Sequence, residues 1–192
     1  MNELEIIRSQ LAVEQSHAAE VANACAAVFG SSAASASQEA IALFREACVS
    51  YLVGVLARFE ERDQSLSELL ASRQSMASDA AASARQLASL ITRPGRSREA
   101  LSRLEAALAA GEPHAARASW QEFARFFNST WAPRRAALEG ALAEHLGVAD
   151  LRAVCAIDAD SILDERKRFA RIVAQLPAGI ELRGMPATDT RP

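Results

Sequence analysis

The chain has 192 residues and carries 21 Lys and Arg against 24 Asp and Glu, for a formal charge of −3, so a surface dominated by phosphate-binding cations, and with it a nucleic-acid partner, is not expected. The length is most economically one domain, able to bury about 70% of the surface its unfolded form would expose. Abundant Ala, Leu, Arg and Glu, with 8 Gly, 6 Pro and a single Tyr, favour helix and leave little material for strands.

The first helix is predicted over 1–29, because Leu4, Ile7, Leu11, Glu14, Ala18, Val21, Cys25 and Val28 alternate spacings of three and four. Only Glu14 interrupts that row. Gly30 and the serines of "GSSAASAS" end it and offer caps for the next helix. The second, over 37–73, is the longest. Its middle, "ACVSYLVGVLARF", is apolar around most of its circumference, which predicts one face in the bundle and another against a second copy or a protein partner. Its longest purely apolar run, "YLVGVLA" at 51–57, falls short of the roughly 20 residues needed to cross a bilayer, so no membrane partner is expected.

Shorter helices are predicted at 76–91 and 97–110, separated by "TRPG". A third long helix over 115–146 carries Trp120, Phe123, Phe127 and Trp131 on one face, with a kink or short break near Pro133. The last, over 148–176, carries Leu151, Cys155, Ile162, Phe169, Ile172 and Leu176. The expected fold is therefore all-α: an antiparallel four-helix-type bundle over 1–176 with two shorter additional helices, followed by an irregular, flexible C-terminal tail at 177–192 rich in Pro, Gly and Thr.

Glu14 and His17 have the Glu-x-x-His spacing that sets carboxylate and imidazole on adjacent turns of one face, the geometry by which ferritin-like bundles bind two metal ions. No second Glu-x-x-His occurs, and a polar flank beside the seam is the alternative. At "EHLGVAD", His145 and Asp150 stand five residues apart. With His17 on the first helix, they make the chain resemble the hemerythrin-like family of four-helix bundles over residues 1 to about 176. That resemblance implies iron as cofactor and oxygen, iron or redox sensing as function, with Glu14, His17, His145 and Asp150 as candidate metal residues. The second helix departs from the family pattern, having no His but Glu60, Glu61 and Asp63, and no His-x-x-x-His pair occurs.

Asp158 and Glu165 interrupt the apolar stripe of the last helix. Buried acids need partners, which predicts a polar layer joining Asp158, Glu165 and Glu14 to an Arg such as Arg58 or Arg62, with an exposed flank or an acidic metal site as the alternatives. The aromatic face of Trp120, Phe123, Phe127 and Trp131 reads first as core; the alternative, with Arg134 and Arg135 beside it at the predicted kink, is the border of a pocket for a small anionic or planar ligand. No nucleophile elbow and no nucleotide-binding glycine motif occurs, so no catalytic set is expected. Cys25, Cys48 and Cys155 lie far apart in apolar stretches without CxxC spacing and read as buried thiols. The N-terminal "MNELEIIRSQ" lacks the basic start of a secretory signal. The expectation is a noncatalytic cytoplasmic bundle, most economically a homo-oligomer, acting through association or small-ligand sensing without a cofactor; iron belongs to the alternative.

Overall fold

The protein is described by a computed structural model covering residues 2–30, 37–72, 94–144 and 147–182, without the side chains of 67, 70, 71, 94–97 and 130–144. It is all-helical over these residues: α1 (Glu3–Gly30), α2 (Gln38–Ser72), α3 (Pro94–Ala109), α4 (Pro113–Glu144), α5 (Val148–Cys155) and α6 (Ala159–Ala174). The predicted helix at 76–91 lies outside the described residues.

Local chemistry sets the helix starts. Asn2 and Glu5 exchange side-chain to backbone bonds of 2.9 and 2.8 Å at the head of α1, and Ser37 Oγ accepts from Ala40 N–H at 3.2 Å to begin α2, so donors that a helix start leaves unpaired are satisfied. Pro94 and Pro113 each open a helix, where the missing N–H costs nothing. Between α3 and α4, Gly111 takes a φ of 69°, and the Gly111 and Glu112 amides donate back to Leu108 and Ala107 carbonyls, the glycine-closed helix end that lets the two helices fold into an antiparallel hairpin.

α4 runs on through Pro133, so the expected alternative of a break in the helix does not occur there. Proline removes one donor and crowds one turn, and a 32-residue helix has enough propagating turns on both sides to remain helical through it. The predicted last helix, in contrast, is two helices. Ala156 closes α5 in the left-handed region at φ 43°, and Asp158 then caps α6, its Oδ1 accepting from Ser161 N–H at 2.7 Å. Those bonds hold Asp158 exposed at the surface and lower its carboxyl pKa, chiefly through the Ser161 amide, so Asp158 is a cap rather than a member of the interior layer.

α2 is the central stave, touching α1, α3, α5 and α6, while α1 also touches α4, α5 and α6. Phe44, Cys48, Leu52 and Val55 of α2 meet Val21, Cys25 and Val28 of α1, Leu101 and Leu104 of α3, Phe123 of α4 and Ile172 of α6 in the main core. Among residues 47–59 Ser50 alone is exposed. The stretch Gln38–Leu66 is long and apolar enough, by length and composition, to cross a membrane. Here part of its apolar surface is buried against other helices of the same chain, while Leu43 stays half-exposed. Past the end of α6, Ile180 and Leu182 pack against the same core, so the first residues of the predicted tail lie on the bundle.

Two stability measurements check this packing. Phe44→Ala deletes a fully buried ring and is expected to cost about 3–5 kcal/mol in urea denaturation. Ala156→Gly relieves a left-handed residue with a Cβ and is expected to gain about 0.5–1 kcal/mol in the same assay.

Candidate functional site

The site grows from polar residues that share the inward rows of their helices with apolar ones. On α1, Glu14 sits between Leu11 and Ala18; on α2, Arg62 sits between Phe59 and Leu66. Both are buried, Glu14 at 1% exposure. They lie where the main core gives way to a second cluster of Ile7, Leu11, Leu66, Leu151 and Cys155. Arg62 donates through Nη1 and, at 3.4 Å, through Nη2 to the two oxygens of Glu14. Its Nε donates to the Cys155 carbonyl at 3.0 Å, one of the acceptors that the end of α5 leaves unpaired. One guanidinium therefore fixes α1, α2 and α5 together.

A second carboxylate lies on α6. Glu165 has no exposed surface, and its Oε1 accepts from Tyr51 Oη at 2.7 Å and from His17 Nδ1 at 2.9 Å. The imidazole is also stacked on Phe169, with ring centroids 3.7 Å apart and planes 7° from parallel. Burial pushes the Glu165 carboxyl up. The His17 and Tyr51 bonds and the charges of His17 and Arg58 outweigh that effect and leave it below the usual carboxylate range. Burial, reinforced by the bond to Glu165, pushes the Tyr51 hydroxyl well above its ordinary value, so it remains a donor. The other carboxylate oxygen, Oε2, is buried without a hydrogen-bond partner.

Arg58 stands one turn before Arg62 on the same face of α2. It is half-buried, and its Nη2 is buried without a hydrogen-bond partner. It lines a cleft of about 550 Å³, with Arg62 and Ser65 of α2, the last turn of α5 and Ser161 of α6. Glu61 and Glu68 also line it and are exposed. Four residues before Arg58, Gly54 leaves room for Arg168 of α6, whose Nη1 would stand 3.0 Å from an added Cβ.

The candidate metal residues have other partners. Glu14 belongs to Arg62, His17 to Glu165, and Asp150 accepts from Gly147 N–H at 2.9 Å at the start of α5. Arg152, two residues beyond Asp150, pairs with Glu3, which is roughly 20 Å along α1 from His17 at 1.5 Å per residue; His145 lies outside the described residues. No group of three or more His, Cys, Asp or Glu suited to a metal converges among the described residues. Among the described residues Glu14 does not suit iron, because the Arg62 guanidinium already supplies the cation that it requires and would repel a second.

Trp120, Phe123 and Phe127 lie in the main core, Trp120 stacked on Phe29 at 5.3 Å. The side chains of their predicted neighbours Trp131, Arg134 and Arg135 lie outside the described residues. All three cysteines are buried thiols, and burial pushes Cys25 and Cys155 up, Cys25 further through its bond to Cys48. Tyr51, and the pairing of His17 with Glu165, were missed from sequence. The available signal was the 51, 58, 62 spacing on α2, matched by Gln10, Glu14 and His17 on α1.

The chain matches no family model, no curated protein and no solved structure.

Arg62→Met leaves Glu14 buried without its counter-charge and is expected to cost about 3–5 kcal/mol in chemical denaturation, most of it regained in the double variant Glu14→Gln with Arg62→Met. Acid separates the second carboxylate. Its folded pKa lies below an unfolded value of about 4.3, so its ionised form stabilises the fold above that pH and the contribution disappears as pH falls through the folded value. Urea midpoints of wild type and Glu165→Gln should therefore differ at pH 7 and draw together towards pH 3.

Proposed function

We propose that the protein is a noncatalytic helical bundle that senses a small oxyanion, a carboxylate or a phosphate, in the cleft between α2 and the α5–α6 joint. The observation that carries this reading is Arg58, which lines the cleft while its Nη2 is buried without a hydrogen-bond partner. Arg62 beside it is already neutralised by Glu14. A planar guanidinium with unfilled donors recognises an oxyanion through charge-assisted bonds. The opposing Glu61 and Glu68 are exposed, where solvent and salt screen them more than they screen a half-buried group. Three cysteines kept as thiols fit a reducing compartment such as the cytoplasm.

Thermal denaturation in phosphate or acetate, against chloride at equal ionic strength, tests the proposal. At a ligand concentration about ten times Kd, the midpoint should rise by about 3–6 °C, and Arg58→Gln should abolish the rise. Equal midpoints in all three salts would refute it.

A further inference from the structure

The break after α5 strips hydrogen bonds from one wall of the cleft. The last carbonyls of a helix have no intrahelical donor, and in α5 these include Ala153 and Val154, which line the cleft. The Asp158 amide, which a continuing helix would give to the Val154 carbonyl, donates to Ser161 Oγ at 3.1 Å. Among the described residues no backbone N–H bonds the Ala153 or Val154 carbonyl. A helix C-terminus also carries the negative pole of the helix dipole, so this wall offers acceptors and partial negative charge, with the side chains of Ala153, Val154 and Ala156 as its apolar surface.

The α2 wall carries both signs. Arg58 and Glu61 line the cleft together at a spacing of three, which sets side chains next to one another with Cβ atoms about 5–6 Å apart. Among the described residues Arg58 Nη2 has no hydrogen-bond partner and Glu61 is in no ion pair. The acids around them are engaged: Glu60 takes Arg98 and Glu68 accepts from Gln64 Nε2, each at 3.0 Å. Arg62 is neutralised by Glu14, so the wall has one cation for a carboxylate and one carboxylate for a cation. A plain anion on Arg58 leaves Glu61 and the α5 carbonyls beside a negative charge that nothing offsets. A ligand with an ammonium next to its carboxylate satisfies both.

We propose that the ligand of this cleft is an α-amino acid with an aliphatic side chain: its carboxylate on the Arg58 guanidinium, its ammonium between Glu61 and the open carbonyls at the end of α5, and its side chain on Val154 and the flanking alanines. The assignment rests on the oxyanion reading above and narrows it. An α-amino acid carries its two charges on one carbon, which suits an arginine and a glutamate one turn apart, and a cleft of about 550 Å³ lies within the range of small-molecule sites. Phosphate has no group for Glu61, and a polyamine has none for Arg58.

Isothermal titration of the full chain with leucine and with 4-methylpentanoate, which keeps the carboxylate and the branched chain and lacks the ammonium, tests the assignment. Leucine is expected to bind about tenfold more tightly, the worth of one charge-assisted bond. Glu61→Gln, at an exposed position, should shrink that margin by weakening leucine alone, and Arg58→Gln should weaken both ligands. Equal affinities, or a preference for 4-methylpentanoate, overturn the amino-acid assignment and leave the oxyanion reading standing. A margin that Glu61→Gln does not change overturns it as well. Failure of both ligands to bind also overturns the assignment, and the phosphate and acetate midpoints then decide whether the oxyanion reading falls with it.

Discussion

Two buried carboxylates set the terms on which these helices pack. A carboxylate withdrawn from water needs a compensating charge or a full set of donors, and each of the two finds its partners on other helices. Glu14 takes a guanidinium from α2 that is itself tied to the end of α5. Glu165 takes a phenol from α2 and an imidazole from α1. Apolar packing is non-directional, whereas these bonds require one register of the helices. Their contribution to specificity of arrangement is therefore larger than their net contribution to stability, which desolvation largely cancels.

The same layer divides the interior. On one side lies the large core shared by α1, α2, α3, α4 and α6; on the other lies the small cluster that seats α5. α5 is only eight residues long, too short to persist by its own propensity, and it is held by Leu151 and Cys155 below and by the Arg62 bond at its end. The left-handed Ala156 then turns the chain so that α6 returns along α2. This break leaves the cleft between α2 and the joint, lined by Arg58, whose Nη2 is buried without a hydrogen-bond partner.

A built-in cation distinguishes this interior from that of a metal-bearing bundle. A guanidinium is always charged and covalently attached, so the Glu14 carboxylate is compensated without any ion being recruited, and its geometry is set by the fold. The cysteines contribute packing and little chemistry, since burial raises Cys25 and Cys155 and keeps them as thiols.

Periodicity alone determined the helical class, the inward rows of α1 and α2 and the need of Glu14 for an arginine, because three-and-four spacing is a local property of the chain. The polar members of those rows were visible for the same reason: Glu14 interrupts Leu11 and Ala18, and Glu165 precedes Phe169 by one turn. Tertiary structure decided what spacing cannot encode. It buried Cys48, Leu52, Val55 and Phe59 against α1, α3, α4 and α6, it broke the last helix at Ala156 and turned Asp158 into a cap, and it chose Tyr51 and His17 as the partners of Glu165. Those outcomes depend on which distant helices lie alongside one another, and such contacts join residues more than a hundred positions apart, where no local pattern in the chain records them.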